Sequence, residues 1–348
     1  MPGVRRESGQ PTRQVPMKIA VVIPCYKVAG SILDVIASIG PEVSAIYVVD
    51  DACPQSSGNL VQEQCDDTRV RVLFHNRNQG VGGAVITGYQ EAVQDGADII
   101  VKLDGDGQMD AGLIPYFVEP IQTGEADYTK GNRFYEIESV TRMPAVRMIG
   151  NAGLSFLTKL SSGYWGLFDP TNGFTAISAR VVAYLPLDKL ARGYFFESDM
   201  LFRLNTLRAV VVDLPADAIY GDEISNLKIV KELPRFAVKN LTNFCKRILY
   251  NYFIRGFNYA SLELVLGIGL TGFGVIFGLV HWLRGLQMES FASAGTVMLA
   301  GLSIMIGIQM LLGFLQYDIS NQPTMALQRK IRPRALDRQQ SHKKRSAP

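Results

Sequence analysis

Histidine and cysteine are scarce, with three and four copies in 348 residues. Cys25, Cys53, Cys65 and Cys245 show no paired spacing. That excludes a zinc or disulfide framework and fits a reducing compartment. His75, His281 and His342 stand too far apart to suggest a histidine metal centre. Charge of one sign is also lacking: the net value is +3. Such a balance gives no reason to expect nucleic acid as a partner. The N-terminus has no apolar core. Residues 1–16 are polar and proline-bearing, unlike a signal peptide, and are expected to be disordered.

With soft and nitrogen ligands so thin, carboxylates are left to carry any metal chemistry. The central stretch is Asp104-Gly105-Asp106-Gly107-Gln108, which follows the apolar run 97–103. That run reads as a buried strand. Carboxylates one residue apart at a strand end lie on the same side of the chain. They can share a divalent cation, with Gln108 adding a neutral oxygen. Such hard oxygen ligands suit Mg²⁺ or Mn²⁺ with positions open to phosphate. The bland alternative is a surface turn, since Asp-Gly is common turn chemistry.

The chain around the motif decides between them. Strands are expected at 18–23 (stopped by Pro24), 44–49, 70–74 and 99–103. Helical spacing appears at 29–39, 60–65 and 82–92, the last entered through a glycine-rich loop. Alternating strands and helices predict an α/β domain with a mostly parallel sheet covered on both faces. Ligands of such sheets bind beyond the carboxyl ends of the strands. Pro24, Asp50-Asp51 and Asp104/Asp106 all fall at those ends, which favours a nucleotide site with a metal. Further on, 127–134 reads as a strand running into a loop, 146–160 as an amphipathic helix, and 169–174 as a sharp turn. A helix at 194–207 carries Glu197 and Asp199, and a strand follows at 210–214.

Composition then changes. Residues 235–255 place Phe236, Leu241, Phe244, Ile248 and Tyr252 at helical spacing, with Lys239, Lys246, Arg247 and Arg255 between them. A basic amphipathic helix suits a membrane surface, although an ordinary surface helix has the same pattern. Residues 264–283 and 291–315 contain no Asp, Glu, Lys or Arg. Each run is long enough to cross a bilayer, and two in succession argue against buried core helices. Basic residues flank the pair on both outer sides, and the tail from Arg329 is strongly basic. The positive-inside rule then places the globular domain and both termini in the cytoplasm, and the membrane is expected to be an inner or plasma membrane of bacterial type. The tail either touches anionic head groups or stays solvated. Gly267, Gly274, Gly301 and Gly307 would allow close helix packing, including that of a homo-oligomer.

These residues resemble glycosyltransferase family 2, in the branch of dolichol-phosphate mannose synthase and the bacterial polyprenyl-phosphate glucosyltransferases. The likeness spans roughly 17–228 and rests first on the aspartate motif with Gln108. Further matches are Ile23-Pro24-Cys25-Tyr26, Val49-Asp50-Asp51, Asn78 with Gly80 and Gly88, Gly131-Asn132-Arg133, and residues 169–174. The resemblance implies a GT-A, Rossmann-like transferase domain at 17–230. Amphipathic juxtamembrane helices would follow at 231–260, a transmembrane hairpin at 261–318 and a basic cytoplasmic tail at 319–348. Pro24, Tyr26, Asp50, Asp51, Asn78 and Asp104 would hold the nucleotide-sugar donor. Asp104, Asp106 and Gln108 would hold the metal. Arg133, Arg147 and Asn151 would face the phosphate of a polyprenyl-phosphate acceptor. Some positions depart from the family pattern: Lys27-Val28 replaces Asn-Glu, Ala52-Cys53-Pro54 replaces serines, and Tyr220 stands where a base is usual, with Lys228 or Lys231 able to supply the charge.

The reaction this implies is an inverting sugar transfer from a GDP-mannose or UDP-glucose type donor. A lipid phosphate is already anionic and needs no general base, whereas a hydroxyl acceptor on a lipid-linked or envelope glycan would need one. Asp199 is the candidate for that role, with Glu197 second. A dehydrogenase is disfavoured, because the third glycine of the dinucleotide fingerprint would fall at Val85. A processive polysaccharide synthase would bring more membrane spans, and a silent scaffold would not need the aspartate pair.

Overall fold

The N-terminal part of the chain, through residue 215, builds a seven-stranded sheet in the order β3-β2-β1-β4-β6-β5-β7. Its strands are β1 (Ile19–Cys25), β2 (Val43–Asp50), β3 (Val70–Phe74), β4 (Ile99–Lys102), β5 (Tyr128–Asn132), β6 (Thr175–Ser178) and β7 (Val211–Pro215). A computed structural model describes residues 17–135, 145–216 and 229–331. The N-terminal 1–16, Tyr220, Asp222, Lys228 and the tail from 332 lie outside these described residues, as does the side chain of Lys231.

The centre of the sheet forms because β1 is apolar on both faces. Val21, Ile23 and Cys25 pack with α1 (Ile32–Ala37) and α4 (Ile114–Gln122). Ala20 and Val22 pack on the other face with α3 (Val81–Gln94) and α7 (Phe196–Leu207). A strand buried on both sides reads as a continuous apolar run, and each valine or isoleucine so buried contributes roughly 1.5–3 kcal/mol. The remaining helices of this part are α2 (Ser57–Gln64), α5 (Ala145–Ser162) and the single turn α6 (Ala179–Val182). The pairings β1–β2, β1–β4, β2–β3 and β5–β7 are parallel. Those of β6 with β4 and β5 are antiparallel.

Pro24 does not stop β1, contrary to expectation. The β4 partner ends at the Val22–Lys102 pair, so the proline has a ladder neighbour only on the β2 side. Because β2 and β3 extend to one side of β1 and β4 adds to the other, the strand order reverses between β1 and β4. A crevice opens at such a switch point, beyond the carboxyl ends.

The C-terminal part begins with α8 (Ile229–Leu249), which widens into one π turn at Tyr250–Ile254. Then come α9 (Tyr259–Gln287), capped by Asn258 and Ser261, and α10 (Ala294–Ser320). These two helices have 29 and 27 residues, mean hydropathies of 2.0 and 2.1, and only 11% and 17% burial over their apolar windows. They are long and apolar enough to cross a membrane, and that much exposure does not fit core helices. Gly267 and Gly274 pack directly on the backbone of α10 at Gly307 and Ala300, so their closeness is used inside the hairpin.

The amphipathic helix keeps most of its expected face, with Phe236, Ile248 and Tyr252 buried and Phe244 packed beside them, but one apolar and several polar residues fall on unexpected sides. Leu241 faces out with Val238 and Leu249, while Arg247 is buried with Asn240 and Asn243. The reason lies in the last turn of α10. Arg247 donates from Nη1 and Nη2 to the two oxygens of Asp318, at 2.6 and 2.9 Å. Tyr252 Oη and Trp165 Nε1 complete the carboxylate's partners at 2.6 and 3.0 Å. The chain then returns to the sheet end opposite the crevice, where the Leu327 and Gln328 amides donate to Asp127 at 2.6 and 2.8 Å.

Asp318→Ala would strand the buried Arg247 guanidinium. The expected loss is about 3–5 kcal/mol of unfolding free energy, read from thermal or denaturant melts in detergent. A loss below about 1 kcal/mol would mean that the pair does not hold the domain to the hairpin.

Candidate active site

The aspartate motif lies at the switch point. Leu103 ends the buried run, and the chain turns through Gly105 and Gly107, the latter at φ +78°. Ser31 Oγ, just before α1, donates to the Gly105 carbonyl at 2.7 Å and ties the turn down. The Asp106 carboxylate accepts the Gln108 amide at 3.1 Å.

Behind Asp104 stands a group that sequence reading did not single out. Lys102 is 1% exposed and donates to Asp104 Oδ1 at 2.8 Å and to the Gly173 carbonyl at 3.1 Å. Its Nζ also lies 3.4 Å from Glu197 Oε1, at the start of α7. Burial alone would lower the lysine pKa, but Asp104 and Glu197 carry it above the ordinary value. Burial lifts Glu197 above the usual carboxylate range, opposed by Lys102 and assisted by Asp104. Gly173 closes the cluster: a Cβ there would strike Asp104 Oδ2 and Lys102 Nζ. The available signal was a lysine inside an otherwise apolar strand, two residues before the motif.

This places Glu197, the less favoured acid, beside Asp104 and moves Asp199 away from it. Asp199 is buried and accepts from the Ala191 amide, Arg203 Nε and Asn243 Nδ2 at 2.9–3.0 Å. A carboxylate so committed braces α7 against α8 and is badly placed to act as a base.

The expected donor residues divide in the same way. Tyr26 is exposed just past β1, and Pro24 is part of that strand. Asp50 and Asp51 are instead turned inward. Asp50 accepts the Cys53 and Gly58 amides, each at 2.7 Å. Asp51 accepts from His75 Nδ1 and the Gln79 and Gly80 amides at 2.7–2.8 Å. Asn78 donates to the Asp51 carbonyl at 3.2 Å and accepts from the Gly80 amide at 3.1 Å. These residues shape the loops around the crevice, because their oxygens satisfy backbone amides that would otherwise be unpaired. His75, also bonded to Thr87 at 2.9 Å, was missed as part of that brace.

On the other side, Arg133 follows β5. Its Nε and Nη2 donate to Asp169 at 2.7 and 3.1 Å. Burial would raise the Asp169 carboxyl, but the Arg133 bonds and charge hold it below the usual range. Lys130 is buried beneath, donating to the Asp169 carbonyl, and burial pulls its ammonium below the ordinary lysine value. Arg147 and Asn151 belong to α5, but their side chains lie outside the described set.

The residues present fit a hard divalent cation. Asp104 and Asp106 offer oxygens, and the missing Cβ of Gly173 makes room for Asp104 Oδ2. Among the described residues no group of three or more His, Cys, Asp or Glu could hold a metal ion. A cation here would therefore complete its shell with water or ligand phosphate, as Mg²⁺ does.

Comparison with known proteins follows the same line. Residues 20–185 match the glycosyl transferase family 2 domain. Undecaprenyl-phosphate mannosyltransferase from Micrococcus luteus is 30% identical over 234 residues, covering 66% of this chain and 94% of that one. UDP-N-acetylglucosamine--dolichyl-phosphate N-acetylglucosaminyltransferase from Methanococcus voltae is 29% identical over 218 residues, covering 59% of this chain and 86% of that one. Among solved structures, glucosyl-3-phosphoglycerate synthase from Mycobacterium tuberculosis overlaps with a TM-score of 0.47 at 22% identity, covering 66% of this chain and 80% of that one. That score marks no more than a partial overlap.

Lys102→Met should destabilise the domain by about 3 kcal/mol, since it leaves two crowded carboxylates without their shared cation. Adding Glu197→Gln should restore more than half of that loss in the same melts. Simple additivity of the two changes would show that the three groups are not coupled.

Proposed function

Because this chain belongs to glycosyl transferase family 2, we propose that it is a membrane-bound glycosyltransferase that moves a sugar from a nucleotide-sugar donor to a polyprenyl phosphate. The observation that carries this reading is one molecule holding both halves of the task. A carboxylate pair stands at the switch point of the sheet, and a pair of exposed apolar helices is bonded to the same domain through Asp318. The names of the two relatives supply the acceptor class, undecaprenyl or dolichyl phosphate. They differ in sugar, so the donor is assigned only as a nucleotide sugar of the GDP-mannose or UDP-glucose type.

In this reading Asp104, Asp106 and Gln108 hold Mg²⁺ or Mn²⁺. When bound, the cation neutralises a leaving diphosphate as a Lewis acid. Lys102 keeps Asp104 oriented by holding its Oδ1. Tyr26 offers its exposed ring to the donor base, while Asp50, Asp51 and Asn78 hold the loops that receive it. Arg133, oriented by Asp169, receives the acceptor phosphate together with Arg147 and Asn151 on α5. An arginine fork matches phosphate oxygens, and the acceptor attacks the sugar without a base. Were the acceptor a hydroxyl, Glu197 would be the acid at hand.

The same proposal sets the molecule on the cytoplasmic leaflet. The outer face of α8 presents Val238, Leu241 and Leu249 with Lys239 and Lys246 exposed beside them. A helix of that kind lies in the headgroup layer, with basic residues drawn to anionic lipid.

Membranes carrying the protein, given radiolabelled nucleotide sugars and polyprenyl phosphate, should release label into the organic phase with at least one donor. No labelled lipid with any donor would defeat the reading. Asp104→Ala should lower transfer by at least about 1,000-fold with the fold retained, and EDTA should abolish it until Mg²⁺ or Mn²⁺ is returned. Full turnover under either condition would reject the metal site.

A further inference from the structure

Two aromatic pairs lie between the hairpin and Arg133, one beside each. Trp165 is bonded to Asp318 in the last turn of α10 at 3.0 Å. Phe156 of α5 meets the Trp165 ring edge-on at 6.3 Å. Phe168 meets Phe134 in the same manner at 6.4 Å, and the Arg133 guanidinium lies 5.7 Å from the Phe134 ring. Phe156 and Phe168 are 56% and 54% exposed. Phe168 is held in that position by its own backbone. Its carbonyl accepts Ser155 Oγ at 2.9 Å, and its amide donates to Asp213 at 2.8 Å. The ring is thus presented to its surroundings by a fixed main chain, and Asp169, the next residue, orients Arg133. The Ser155 bond ties the turn carrying Phe168 to the helix carrying Phe156, and exposed rings grouped in this way mark an interaction surface.

We propose that Trp165, Phe156, Phe168 and Phe134 form a track for the first isoprene units of the acceptor lipid, leading from the membrane end of α10 to the phosphate site at Arg133. This rests on the polyprenyl-phosphate reading above. The occupant follows from the two ends of the track. One is tied to a helix long and apolar enough to span a bilayer, and the other ends at a guanidinium suited to phosphate. A molecule matching both ends is apolar along its length and anionic at its head. Flat, branched isoprene units offer broad faces to aromatic rings, whose contacts tolerate sliding along the chain. Lys159 Nζ, 5.2 Å from the Phe168 ring, adds a cation at the side of the track.

The test uses the full chain in nanodiscs and a polyprenyl phosphate bearing a diazirine on its third isoprene unit. Irradiation should place crosslinks in peptides holding Phe156 and Phe168, and excess undecaprenyl phosphate should chase them. In F156S/F168S the yield at those peptides should fall at least fivefold. In F156L/F168L, which keeps an apolar surface, most of the yield should remain and show that the site itself is still folded. Crosslinks confined to α9 and α10, or undiminished in the serine variant, would overturn the track. If undecaprenol without its phosphate chased as well as the phosphate, the track would stand as a lipid contact and the acceptor reading itself would fall.

Discussion

A single buried ammonium organises the crevice. Lys102 is almost wholly removed from water, a costly place for a charge unless it is paired. Its partners come from three parts of the fold: Asp104 beyond β4, the Gly173 carbonyl before β6, and Glu197 at the start of α7. Satisfying the lysine therefore fixes the motif, the antiparallel half of the sheet and the first turn of a helix relative to one another. Gly173 is part of that constraint, because any larger residue would push Asp104 and Lys102 apart. One carboxylate oxygen is consumed in holding Asp104 still, and the other lies against Gly173, whose missing Cβ makes room for it.

Much of the architecture was legible because β1, β2 and β4 are apolar on both faces, which is how parallel strands between helix layers appear in sequence. The aspartate motif was legible for a related reason, as polar residues and glycines ended a buried run. What escaped depended on phase and on distant partners. β6 is four residues long and too short to show a period. Glu197 and Asp199 sit two residues apart on one helix, so they face nearly opposite ways. Which of them meets Asp104 is set by the packing of Phe196 and Met200, which sequence alone does not report. Arg247 looked like one more basic residue of a surface helix until Asp318, 71 positions later, supplied its counter-charge.

The mixed dress of α8 has the same origin. Its buried side carries Phe236 and Ile248 together with Asn240, Asn243 and Arg247, the three polar residues each bonded to the domain or hairpin, and its outer side carries Val238, Leu241 and Leu249. Buried polar groups are costly unless bonded, and here each one has a partner. The polar seam gives the helix a single orientation that apolar packing alone would not specify as sharply. The seam also reaches Asp199, so the same bonds that seat α8 hold the helix on which Glu197 stands.

The loops that depart from the family pattern change together. Lys27 and Ala52 both adopt positive φ, at 60° and 53°, and the Lys27 amide donates to Cys53 Sγ at 3.0 Å. A thiol at 53 thus replaces the polar contacts that the usual serines would make, and it joins the loop after β1 to the loop after β2. Strained non-glycine residues persist only where surrounding bonds over-determine them, and here Asp50 and Asp51 supply those bonds from below. Since both aspartates are consumed in this way, a nucleotide-sugar donor bound as proposed would meet Tyr26 and main-chain groups there. Under that proposal base selectivity would reside in the shape of two coupled loops, so that changing Lys27, Ala52 or Cys53 alone would disturb the shape before it altered the preference.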